Sequence, residues 1–233
     1  MPESYSLQYP YVVSGFRSFF RPHFTIPNVP WKAKSRWDIN LQRVLILFFG
    51  LAVFGLGDSL LVQSHIGNAP WTVLAQGLAH VFHTNIGFMT AIISIAVLLA
   101  WIPLKEKPGF GTLANIALIA TFIQIGINVF PEMNNFWSGV GFVVCGIFMV
   151  GIGSALYIST GLGPGPRDGA MTGIHFKTGV RIGRVRLAIE SSVLTLGALC
   201  GGEIGLGTAL FALFIGQSIA ISLGILARLT APA

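Results

Sequence analysis

Apolar residues fill six long stretches of this chain, and the polar residues gather between them. The stretches cover residues 41–63, 87–104, 112–130, 136–158, 182–199 and 208–229. A run of about 18 to 20 apolar residues is long enough to cross the hydrocarbon core of a bilayer. The pattern therefore predicts six transmembrane helices. Alternation with a period of two, which a membrane β-barrel needs, is missing from these runs.

Two glycine-proline breaks interrupt the pattern. Ile66-Gly67-Asn68-Ala69-Pro70-Trp71-Thr72 follows the first stretch, and Gly161 to Gly169 follows the fourth. A short helical segment comes after each, over residues 70–83 and up to Thr178. At 1.5 Å per residue, about 14 residues reach about 21 Å, short of the roughly 30 Å core. Both segments are expected to be re-entrant half-helices. Proline suits the first turn of a helix, where its missing N–H costs little. Gly67, Pro70, Gly163, Gly165 and Pro166 are accordingly read as backbone hinge positions. A plain packing kink is the alternative, since Gly and Pro are frequent in membrane helices.

The two halves align without gaps at an offset of 96 residues. Gly50, Gly55 and Gly57 fall on Gly146, Gly151 and Gly153, and Gly67 and Pro70 fall on Gly163 and Pro166. Gly109, Gly111 and Thr112 fall on Gly205, Gly207 and Thr208. This register points to an internal duplication. The expected organisation is a basic and aromatic N-terminal segment over 1–40, a first repeat over 41–135 and a second over 136–233. An odd number of spans per repeat would invert the second relative to the first.

Charge sharpens the topology. Only 9% of the 233 residues are charged, mean hydropathy is +0.75 and net charge is +6. The cations flank apolar stretches, so they read as topology determinants and not as a nucleic-acid surface. With a cytoplasmic N-terminus and re-entrant short helices, all 14 Lys and Arg residues fall on the cytoplasmic side. Full crossing of the short helices would move Lys105, Lys107 and Arg167 outside. The positive-inside rule therefore favours cytoplasmic termini and a three-plus-three inverted repeat in an inner membrane. The N-terminal segment, with Arg17, Arg21, Phe19, Phe20, Trp31 and Trp37, either lies along the headgroups or forms a tail with a few anchors.

Intramembrane polar residues are costly and mark sites or structural pairs. Asn68, Trp71, Thr72, Arg167 and Asp168, at the two breaks, are candidate substrate contacts. Arg167 has the planar fork that binds a carboxylate or phosphate; the alternative is pairing at the cytoplasmic surface. Asp168 is placed to cap the second short helix. Arg186 and Glu190 lie four apart on one helix face and can pair. With Asp58 they are candidates for coupling or gating, or for a structural ion pair. His65, His80 and His83 lack a carboxylate or thiolate at ligand spacing and are read as interface residues. Hydrolase, nucleotide-loop and thiol redox motifs are missing, so no enzyme activity and no cofactor or metal are expected.

Several of these stretches resemble the bacterial YczE/YyaS/YitT family. They are Gly153-Ser154-Ala155-Leu156-Tyr157-Ile158, Gly161 through Gly169, Val185-Arg186, Ile189-Glu190 and Gly205-Leu206-Gly207-Thr208, with Gly67 to Trp71 and Pro108 to Thr112 in the first half. The resemblance covers about residues 45–228 and implies an integral cytoplasmic-membrane protein. The residues themselves point to a transporter or channel-like permease for a small polar solute, anionic or zwitterionic. The other reading is an accessory subunit of a larger membrane complex, or a homodimer, docked through the N-terminal segment.

Overall fold

A computed structural model describes Pro22 and residues 25–230. Most of the basic and aromatic N-terminal segment thus lies outside the described residues. Every regular element among the described residues is a helix. We number them α1 (Leu41–Gln63), α2 (Pro70–Phe82), α3 (Ile86–Leu99), α4 (Trp101–Leu104), α5 (Phe110–Val129), α6 (Phe136–Ser159), α7 (Pro166–Thr178), α8 (Ile182–Leu199) and α9 (Leu206–Leu229). Five helical stretches are long and apolar enough to cross a membrane: α1, α3 with α4, α5, α6 and α9. Their outer faces expose large apolar side chains, among them Leu45, Phe49, Phe148 and Leu213. An apolar surface of that extent needs lipid around it, and the chain is an integral membrane protein. The remaining long helix, α8, has 18 residues but carries Arg184, Arg186 and Glu190.

Element boundaries follow local chemistry. Asn40, Asn85 and Asn135 start α1, α3 and α6, each side chain accepting a hydrogen bond from a backbone N–H of the first turn. Pro70 and Pro166 occupy the first turns of α2 and α7. The apolar stretch 87–104 reads as one helix, yet the backbone breaks at Ala100. Pro103 has no N–H to give Leu99, which explains the interruption. Helices α5 and α9 begin two residues earlier than the apolar pattern indicates. The cause is a cap: Gly109 N donates to Thr112 Oγ1 at 3.1 Å, and Gly205 N donates to Thr208 Oγ1 at 3.4 Å.

The core is the pairing of α1 with α6, flanked by α5 on α1 and α9 on α6. Gly50 abuts Gly153 and Gly57 abuts Gly146, so the two helices run antiparallel. These glycine contacts exchange with each other under the offset of 96. So do the contacts of the breaks. Gly111 N donates to Leu162 O at 2.9 Å, and Gly207 N donates to Ile66 O at 2.8 Å. Each break is thus held by the start of the last helix of the other half. Backbone carbonyls that would be costly in lipid are satisfied by protein. Thr112 Oγ1 also donates to Pro164 O at 2.7 Å.

Backbone conformation carries the same exchange. Positive φ occurs at His65, Gly67, His83 and Lys105, and at Gly161, Gly163, Gly179 and Gly201. These are four pairs at the offset of 96. Three sites that are glycine in the second half hold a side chain in the first. A non-glycine residue in the left-handed region costs about 1 kcal/mol. His83, the left-handed C-cap of α2 with φ of 52°, corresponds to Gly179, with φ of 72°. Substituting His83→Gly is therefore expected to stabilise the protein by about 0.5–1 kcal/mol, read as a raised Tm in detergent.

The described part of the N-terminal segment folds onto the protein. Trp31 Nε1 donates to Ser159 Oγ at 3.2 Å, and Ala33 N donates to Thr160 O at 2.8 Å. Arg36 donates to Lys107 O. Asp38 sits below its ordinary carboxylate range, held there first by the Lys34 N–H and, against some desolvation, by Arg43.

Candidate functional site

The starts of α2 and α7 meet. Arg167 places its guanidinium 5.0 Å from the centre of the Trp71 ring, within cation–π range. Trp71 and Arg167 are themselves partners at the offset of 96, so equivalent positions of the two halves touch. Beside them lies a cavity of about 240 Å³. Gly165, Pro166, Arg167 and Asp168 reach it from α7 and its cap, Trp71 from α2, and Arg186 and Glu190 from α8.

A departure from the two-fold exchange makes room for this cavity. Helix α3 packs broadly on α5, but its equivalent α8 lacks comparable packing on α9. The space between α8 and α9 is lined by Arg186 and Glu190 on one side and by Phe211, Ile215 and Ile219 on the other. Only Val185, Val193 and Gly197 of α8 are buried. Charge on α8 and separation from α9 go together, since an apolar helix face has nothing to gain from an ionic one.

The structure distributes the expected residues in two groups. Trp71, Arg167, Asp168, Arg186 and Glu190 line the cavity. Arg186 Nε lies 2.8 Å from Glu190 Oε1, so these two form an ion pair within one helix face. Asp58, Asn68 and Thr72 are buried and do not line it. Thr72 Oγ1 donates to Asp58 Oδ2 at 2.7 Å, and Asn68 Nδ2 donates to Gln76 Oε1 at 2.8 Å. Asp58 Oδ1 and Asn68 Oδ1 are buried without a hydrogen-bond partner among the described residues. Asp58 is nevertheless a leading electrostatic neighbour of Arg167, along with Asp168, Tyr157 and Glu190.

Asp168 corrects one expectation. The N-cap of α7 is Gly165, with no side-chain cap. The Asp168 carboxylate instead accepts a hydrogen bond from the Tyr157 hydroxyl at 2.8 Å. Of the hinge positions, Gly67 and Gly163 have φ of 115° and 124°, and Gly165 packs near the Asn115 amide. Arg167 makes no ion pair within 4.0 Å among the described residues, with Arg181 and Arg184 or any other group.

Residues that sequence reasoning passed over also line the cavity: Tyr157, Ser154, Ser94 and Phe54. Ser154 carried a signal, because it is the partner of Asp58 at the offset of 96. Tyr157 has Leu61 as its equivalent, so its one signal was its place in the Gly153 to Ile158 stretch that carries the family resemblance. At the other end of α1, His65 lies 3.4 Å from Glu203 and 3.9 Å from Glu132. No cluster of His, Cys, Asp and Glu suited to a metal occurs among the described residues.

Comparison with known proteins gives the membrane assignment a family. Residues 41–223 match the model of a family of unknown function, DUF6198. An uncharacterized protein of Haemophilus influenzae is 44% identical over 204 residues, covering 88% of this chain and 94% of that one. The uncharacterized membrane protein YczE of Bacillus subtilis is 32% identical over 190 residues, covering 81% and 85%. The uncharacterized protein YyaS of the same organism is 27% identical over 184 residues, covering 77% and 91%. No solved structure matches. The family match spans α1 to most of α9, the same helices that build the cavity, and the chain belongs to the DUF6198 family of YczE- and YyaS-type membrane proteins.

Proposed function

We propose that the protein is a transporter or channel-like permease of the cytoplasmic membrane for a small polar solute, anionic or zwitterionic, and not an enzyme. The observation that carries this reading is the cavity where the starts of α2 and α7 converge, with Arg167 in its wall. Two short helices meeting at a polar cavity are the usual geometry of a solute site in inverted-repeat transporters.

In this reading the chain is two inverted repeats of three spans each, and α2 and α7 are re-entrant. The antiparallel packing of equivalent helices α1 and α6 supports inversion. Helix α8 is the fifth span, its charges turned to the cavity and the cytoplasmic headgroups. Arg186, Glu190 and Asp58 would then couple or gate movement. The orientation has a direct test. A cysteine at position 105 in an otherwise cysteine-free protein, which requires replacing Cys145 and Cys200, is expected to resist a membrane-impermeant maleimide in intact cells. It should react once the membrane is opened. Labelling from outside would sink the inverted topology.

The functional test is thermal stabilisation of the purified protein across a metabolite library, followed by flux of any hit into proteoliposomes. A hit that crosses the membrane supports the transporter. No hit, with a defined complex recovered from native membranes, would favour the accessory subunit.

A further inference from the structure

The charges around the cavity balance. Arg167 and Arg186 are matched by Asp168 and Glu190. Arg186 and Glu190 neutralise each other at 2.8 Å. That leaves Arg167 and Asp168, consecutive residues in the first turn of α7, with no ion pair within 4.0 Å among the described residues. The Tyr157 hydroxyl that Asp168 accepts is a neutral donor and leaves its charge in place. The Trp71 ring against Arg167 likewise removes no charge.

A bound monoanion would satisfy Arg167 but would face the like charge of the Asp168 carboxylate, which lines the same cavity. A cationic solute would pair with Asp168 but would face the like charge of Arg167 beside it. A solute carrying both charges pairs with Arg167 and Asp168 at once and adds no net charge to the cavity. Besides the polar side chains of Ser94, Asn115, Ser154 and Tyr157, the wall has an apolar part that comes from four helices, through Phe54, Ile119, Val150, Phe211 and Ile215. At about 240 Å³ the cavity lies below the roughly 300–1,000 Å³ typical of drug-sized ligands.

We infer that the solute is a small net-neutral zwitterion with an apolar side group, in the class of the apolar α-amino acids, its carboxylate on Arg167 and its ammonium on Asp168. This rests on the transport reading of the same cavity.

Titration of the purified protein with leucine, phenylalanine and alanine, followed by Tm, tests the inference. The comparison probes are 4-methylpentanoate and isoamylamine, each of which keeps one of leucine's two charges, and inorganic phosphate. At least one of the three amino acids is expected to bind, with leucine or phenylalanine ahead of alanine. Loss of either charge should weaken binding at least about tenfold, as removal of one charged hydrogen bond does. Asp168→Asn should weaken leucine by a similar factor and spare 4-methylpentanoate. Should that variant not fold, the ligand series on the unaltered protein decides alone. Equal binding of 4-methylpentanoate, isoamylamine or phosphate, or binding of some other library solute while all three amino acids fail, would overturn the zwitterion and leave the transport cavity standing. If the whole library leaves Tm unmoved, both fall.

Discussion

Arg167→Ala is expected to abolish solute binding while leaving the unliganded fold nearly intact. Among the described residues the guanidinium makes no ion pair within 4.0 Å and no hydrogen bond; it lies over the face of Trp71 at 5.0 Å, with Asp58 and Asp168 as longer-range charge partners. Losing that contact costs about 0.5–2 kcal/mol. Losing the charge that faces a bound carboxylate costs more, about 2–5 kcal/mol, because the solute's anionic group is left unpaired in a water-poor site. The difference falls on binding, which should weaken by roughly 30-fold to several thousand-fold. Arg167→Lys restores charge but not the planar fork, and is expected to recover only part of the loss. Titration of each variant with the tightest ligand, set beside its unliganded Tm, separates the two costs. A variant that keeps full affinity would make Arg167 a structural residue and remove the main support for a solute site at this cavity.

The breaks at Gly67 and Gly163 were legible because glycine and proline punctuate an otherwise apolar chain. What fills them was not. Their carbonyls are satisfied by the helix starts at Gly109–Thr112 and Gly205–Thr208, about 50 and 140 residues away in sequence. The sequence marks both motifs by their repetition but does not say that each serves the opposite half. The correspondence at the offset of 96 is deeper in the backbone than in the residues. His65, His83 and Lys105 share the left-handed conformation of Gly161, Gly179 and Gly201, yet no comparison of side chains would align them. The backbone conformation is shared where the residue that makes it easy is not, at a cost in strain.

The site divides in the same way. Arg167, Asp168, Arg186 and Glu190 stand out because charge in an apolar run is rare. Asp58 stands out equally and turns out to be buried on Thr72, outside the lining. Cost identifies an intramembrane charge but not the direction it faces. Phe54 was invisible, since aromatic residues in a membrane helix are ordinary, and Tyr157 showed only as part of a family-like stretch. The cavity itself follows from α8 standing away from α9, a failure of two-fold exchange that only packing reveals. Three charges on an 18-residue helix were its one trace in the sequence.

Gly153→Leu is expected to destabilise the protein by about 3 kcal/mol or more, or to prevent folding. A Cβ at this position would lie 2.5 Å from Gly50 O and 2.6 Å from Phe54 N. Both are backbone atoms of α1, so no side chain can swing aside. The helices would have to separate along the seam that organises the fold. Within a membrane no hydrophobic force compensates, because lipid is as apolar as the residues it would replace; close packing of small residues is what holds helices together. Gly57→Leu, the partner change by two-fold exchange, should cost a similar amount, since its Cβ would meet Gly146 O and Val150 N at 2.9 Å. Gly141→Leu lies on the same helix as Gly153, and a Cβ there meets nothing within 4 Å. It should change stability by no more than about 0.5 kcal/mol. Thermal unfolding in one detergent compares the three. If Gly153→Leu unfolds with Gly141→Leu, the seam is not close-packed, and the antiparallel pairing of α1 with α6 that supports inverted repeats loses its physical basis.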